Sequence, residues 1–187
     1  MMKSIHASGL AVCLLASAIA LAWTADDSAT VTIRGVHLCC GSCTTAAKEA
    51  LDGIEGVSDA RADVNSKTVV FTAKNQKSAQ AGLDSLAENG FCGKSAFGKK
   101  DLAFPDVGAK KGEKKDSITF TGVHLCCGAC RKAVHEALTK LDSLSSMEID
   151  PAAGKVKLNG AVLVVTDAVD LLQKAGFYGT LEKPEKK

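Results

Sequence analysis

The stretch Gly35-Val36-His37-Leu38-Cys39-Cys40-Gly41-Ser42-Cys43 occurs twice, returning as Gly122-Val123-His124-Leu125-Cys126-Cys127-Gly128-Ala129-Cys130 with a single Ser-to-Ala difference. Each copy gathers three thiols within five residues. A Cys-x-x-Cys at a turn serves either to bind a soft metal ion or to make and break a disulfide.

Outward from the motif the likeness continues. Val31-Thr32-Ile33 matches Ile118-Thr119-Phe120, Lys67-Thr68-Val69-Val70-Phe71 corresponds to Lys155-Val156-Lys157-Leu158, and Asn89-Gly90-Phe91 matches Ala175-Gly176-Phe177. The chain is therefore an internal duplication of about 70 residues per copy. Residues 29–98 form the first unit and residues 116–183 the second. Between them, residues 99–115 carry six Lys, three acids and Pro105, the composition of a solvated linker.

Each unit reads strand, helix, strand, strand, helix, strand. The first strand covers residues 30–38 and 117–125. Its alternation changes phase at Gly35 and Gly122, so a bulge is expected there. The first helix is the clearest signal. Cys43, Ala46, Ala47, Ala50, Leu51 and Ile54 share one helical face, as do Cys130, Ala133, Val134, Ala137, Leu138 and Leu141. The last cysteine of each motif thus falls on the first helical turn at the core-facing edge. The middle strands are residues 60–64 with 67–73, and 146–149 with 155–159. The second helices are residues 78–89 and 165–175. Helices on one face of a small antiparallel sheet give an α+β class, two ferredoxin-like βαββαβ domains in tandem.

With the motif placed between the first strand and first helix, each unit resembles the heavy-metal-associated domain, a family that includes copper chaperones and periplasmic mercury-binding proteins. The late Gly90-Phe91 and Gly176-Phe177 add to the match. The resemblance implies metal ligands at Cys40, Cys43, Cys127 and Cys130, and an aromatic near the metal loop at Phe91 and Phe177. The family usually reads Gly-Met-x-Cys-x-x-Cys. Here Leu38 and Leu125 stand at the Met position, a swap that nearly conserves volume. Cys39 and Cys126 are extra, and are candidate third thiolates. His37 and His124 alternate with the leucines and read as surface bystanders.

Copper(I) is the expected ion, because monovalent copper accepts two or three thiolates with little geometric demand. Mercury(II) fits the same donors, whereas zinc usually wants four ligands. A metal-transporting protein is the partner the resemblance suggests. The competing reading is a thiol–disulfide redox protein of thioredoxin type. It lacks the facing proline such a fold needs, since no Pro lies between Cys43 and Lys100. No other catalytic pattern is present, and a non-enzyme is expected. A net charge of +2 is too mild to argue for a nucleic-acid partner, and 4% aromatics leave little for base stacking, so none is expected.

The chain opens with Lys3 and an apolar run over residues 9–22, ending in Ala20-Leu21-Ala22. Residues 1–25 read as a signal peptide, with cleavage after Ala22 or, less regularly, Ala25. The protein is expected to be exported, periplasmic or secreted, with no membrane attachment after cleavage. Of eight cysteines, six sit in the two motifs, Cys13 lies in the apolar run, and Cys92 stands alone as an expected bystander.

Overall fold

The computed structural model describes residues 28–182; the signal-peptide segment and Cys13 lie outside them. In the first unit β1 (Ala29–Arg34), α1 (Gly41–Glu49), β2 (Val57–Asp63), β3 (Thr68–Ala73), α2 (Gln76–Glu88) and β4 (Lys94–Phe97) follow in the expected order. The second unit repeats it after β5 (Lys100–Leu102), with β6 (Lys114–Thr121), α3 (Gly128–Leu138), β7 (Leu144–Asp150), β8 (Lys155–Val164), α4 (Val165–Lys174) and β9 (Thr180–Leu181). The sheets run β2-β3-β1-β4-β5 and β7-β8-β6-β9, and every pairing is antiparallel. Each unit is ferredoxin-like.

Period-two burial sets the inner face of each sheet: Val31 and Ile33 on β1, with Val69, Phe71 and Ala73 on β3, are all shut from solvent. The helices cover that face. Cys43, Ala47 and Leu51 pack from the α1 side, and Leu83 and Leu86 from α2. Asn75 caps α2, its side chain accepting from the Ser78 N–H at 2.9 Å.

The expected first strand of residues 30–38 is shorter. Gly35 and Gly122 take φ of +77° and +72° and end the ladders at Arg34 and Thr121. A left-handed residue rotates the chain out of the pleat, after which Val36 N–H still donates to Lys67 O at 3.1 Å. The effect matches that of the expected bulge, since Val36 and Leu38 turn inward with Val31 and Ile33.

Residues 99–115 are not the free tether their composition suggested. β5 forms a hairpin with β4, Gln80 donates to Ala103 O at 3.2 Å, and the Tyr178 hydroxyl donates to Pro105 O at 3.1 Å. Phe104 and Val107 pack against Ala87, Cys92 and Tyr178. The lysines point outward while the few apolar residues bind the segment to both units.

The two units dock around an approximate twofold axis. Phe91 and Phe177 form an antiparallel bridge, and each is 1% exposed. Tyr178 N–H donates to Gly90 O at 2.9 Å, and both Cys92 and His37 N–H groups donate to Gly176 O, at 3.2 and 3.1 Å. Close backbone approach is possible because Gly90 and Gly176 lack a Cβ; one added there would lie 2.3 Å from His124 N or His37 N. Among the described residues, no helix is long and apolar enough to cross a membrane.

Candidate metal centre

The docking brings the two motifs together. Cys40 and Cys127 are the N-caps of α1 and α3 in extended conformation, so their sulfurs stand over the first-turn N–H groups. Cys43 and Cys130 lie one turn on, fully buried against the core. Within each unit the Cys-x-x-Cys sulfurs are 3.7 Å apart. Four further contacts cross between units: Cys39 to Cys127 at 3.3 Å, Cys39 to Cys130 at 3.5 Å, Cys43 to Cys126 at 3.5 Å and Cys43 to Cys130 at 3.9 Å. All six motif cysteines are free thiols in one cage.

The electrostatics divide the six thiols by position. The Cys43 N–H, with those around it, lowers the Cys40 thiol to about 6. The Cys130 N–H does the same for Cys127. These are helix-terminus effects on half-buried cysteines. Burial, followed by neighbouring thiols, raises Cys39 and Cys130, and pushes Cys126 up to about 12. A cation in the cage would reverse that cost, since a coordinated thiol is deprotonated outright. Groups close enough to share an ion are Cys39–Cys40–Cys127, Cys40–Cys43–Cys126, Cys126–Cys127–Cys130, and Cys39–Cys130 with a His37 nitrogen.

His37 and His124 are not surface bystanders. His37 stacks on Phe177 with centroids 4.3 Å apart, and His124 meets Phe91 at 4.4 Å. Their Nε2 atoms are buried without a hydrogen-bond partner. Burial, helped by the Lys67 and His124 charges, lowers His37 to about 4 and keeps it neutral. Phe91 and Phe177 therefore each lie beside a cysteine loop, that of the other unit. Strand alternation missed the histidines because what covers that face belongs to the second copy. Lys67 also reaches the site, donating from Nζ to Leu38 O at 2.5 Å. Cys92 packs against Ala87 and Tyr178 instead, with its thiol raised by burial to about 11.

Residues 30–88 match the family model of the heavy-metal-associated domain. That match spans most of the first unit. The second repeats its motif and its strand order. Among solved structures, the N-terminal soluble domains of Bacillus subtilis CopA align over 86% of this chain and 97% of that one, at 16% identity and a TM-score of 0.31. A superposition that loose adds nothing to the strand order itself. A search of curated proteins finds no significant match. Heavy-metal binding is the activity this domain type supports.

Proposed function

We propose that the protein is an exported carrier or scavenger of copper(I), with Cys40, Cys43, Cys127 and Cys130 as principal ligands and Cys39 and Cys126 joining them. One observation carries the reading: six free thiols converge where two heavy-metal-associated units dock, the closest pair at 3.3 Å. Sulfur-only donors at this density favour monovalent copper, or mercury(II), over harder ions. The N-terminal apolar run supports export, and a metal-transporting protein is the natural donor or acceptor.

Competition against a chelator of known copper(I) affinity, with reduced protein under anaerobic conditions, tests this. The wild type should withdraw copper from the chelator, and replacement of the four principal cysteines by Ser should abolish the withdrawal. No withdrawal by the wild type, or no loss in the variant, overturns the proposal.

A thiol–disulfide role is the second reading, favoured by the lowered Cys40 thiol beside buried Cys43. Insulin reduction that depends on Cys40 would support it over copper carriage.

A further inference from the structure

We propose that the two units jointly hold one polynuclear copper(I)–thiolate cluster, of about four ions per chain, in place of one ion per Cys-x-x-Cys. The inference rests on the copper reading above and concerns how the ions share the sulfurs.

The geometry of the cage leads there. Contacts across the interface, 3.3 to 3.9 Å, are as short as those within each motif, 3.5 to 3.7 Å. Five of the six sulfurs touch a sulfur of the other unit, and Cys40 lies within 4.8 Å of Cys126 and Cys127. Three of the sulfur triads are Cys39–Cys40–Cys127, Cys40–Cys43–Cys126 and Cys126–Cys127–Cys130. Cys39, Cys43 and Cys130 make a fourth, with separations of 3.5, 3.5 and 3.9 Å. Taken together these are alternate faces of an octahedron, and each sulfur belongs to two of them. In that arrangement Cys39 with Cys126, Cys40 with Cys130, and Cys43 with Cys127 are the opposed pairs, and no sulfur–sulfur contact joins any of the three.

That arrangement suits trigonal ions joined by bridging thiolates. A soft-metal–thiolate bond of about 2.3 Å puts the sulfurs of a trigonal site about 4 Å apart, close to the separations found. A tetrahedral four-sulfur site would need four mutually adjacent sulfurs, and any four vertices of an octahedron include a pair from across the cage. The cage therefore disfavours a zinc site.

Charge points the same way. With all six thiols ionised, two separate monovalent ions would leave roughly four negative charges uncompensated in a partly buried site, while about four ions leave roughly two. Cys39 and Cys126 acquire a role here that an ion held by two cysteines does not give them. Each closes two of the four faces.

The test is anaerobic titration of the full reduced chain with copper(I), read by native mass spectrometry and by copper X-ray absorption. About four ions per chain are expected, with partly loaded species suppressed and a short copper–copper scattering path present. The Cys39→Ser/Cys126→Ser variant should fall to about two ions per chain, loaded independently and without the metal–metal path, while its far-ultraviolet circular dichroism stays unchanged. Wild-type loading of two ions in separate steps, with no copper–copper path, overturns the cluster and leaves copper binding standing. A variant that still loads cooperatively to the wild-type level also overturns it. Failure of the reduced wild type to bind copper(I) removes both readings.

Discussion

His37 of the first unit lies flat against Phe177 of the second, ring centroids 4.3 Å apart and planes 23° from parallel. The mirrored pair, Phe91 and His124, sits at 4.4 Å. Each cysteine loop is thus braced by the aromatic of the opposite copy, so the shape of the thiol cage depends on docking as well as on each unit's own fold.

Docking can be broken without touching a thiol. Gly176→Val places side-chain atoms where His37 N and Gly35 O already stand, with even a Cβ falling 2.3 and 2.5 Å from them. Val also disfavours the φ of +87° at that position. We expect the units to remain folded but to separate, with a larger radius of gyration in X-ray scattering and weaker copper retention against chelator. Unchanged scattering and retention would contradict the interface.

Limited oxidation should report the cage directly. Because Cys39 lies closer to Cys127 than to Cys43, at 3.3 against 3.5 Å, substoichiometric diamide should give cross-unit disulfides in peptide maps beside the Cys40–Cys43 and Cys127–Cys130 pairs. Within-unit pairs alone would show that the loops do not meet.

Leu38, next to Cys39 in the first cysteine loop, is fully buried. Leu38→Ala should cost about 2–5 kcal/mol in chemical denaturation and loosen the loop, lowering copper affinity as well. Leu38→Met should stay within about 1.5 kcal/mol of wild type. Equal effects of the two substitutions would show that the side chain does not act as a packed plug.

Stability should fall on the alkaline side through Cys92. Burial raises its thiol from 9.0 to about 11, so the folded state disfavours the thiolate. The contribution is complete below pH 9.0 and drains away as pH rises toward 11. The loss is at most about 3 kcal/mol. Tyr178, raised by its own burial and then by Cys92, titrates in the same direction. Denaturation midpoints of wild type and Cys92→Ala should converge as pH climbs through this window. Parallel curves would show that Cys92 does not contribute.

Local pattern carried the architecture. The spacing of Cys43, Ala47 and Leu51, repeated by Cys130, Val134 and Leu138, marks an amphipathic helix because its period is written along the chain, and those residues are buried as that spacing requires. The motif cysteines were legible for the same reason, being neighbours in sequence. The reading failed where a residue's environment is built by distant chain: the histidines covered by the other copy, and residues 99–115, where Phe104 and Val107 find partners on both units.

Periodicity and duplication, both local properties of the chain, are enough to specify two ferredoxin-like units, each with its thiols at a strand-to-helix turn. That the two turns face one another follows from packing between the units. The approach of Cys39 to Cys127 spans 88 residues, and it exists because Gly90 and Gly176 let two backbones meet around Phe91 and Phe177. That is a matter of surface fit, which no spacing within either copy encodes.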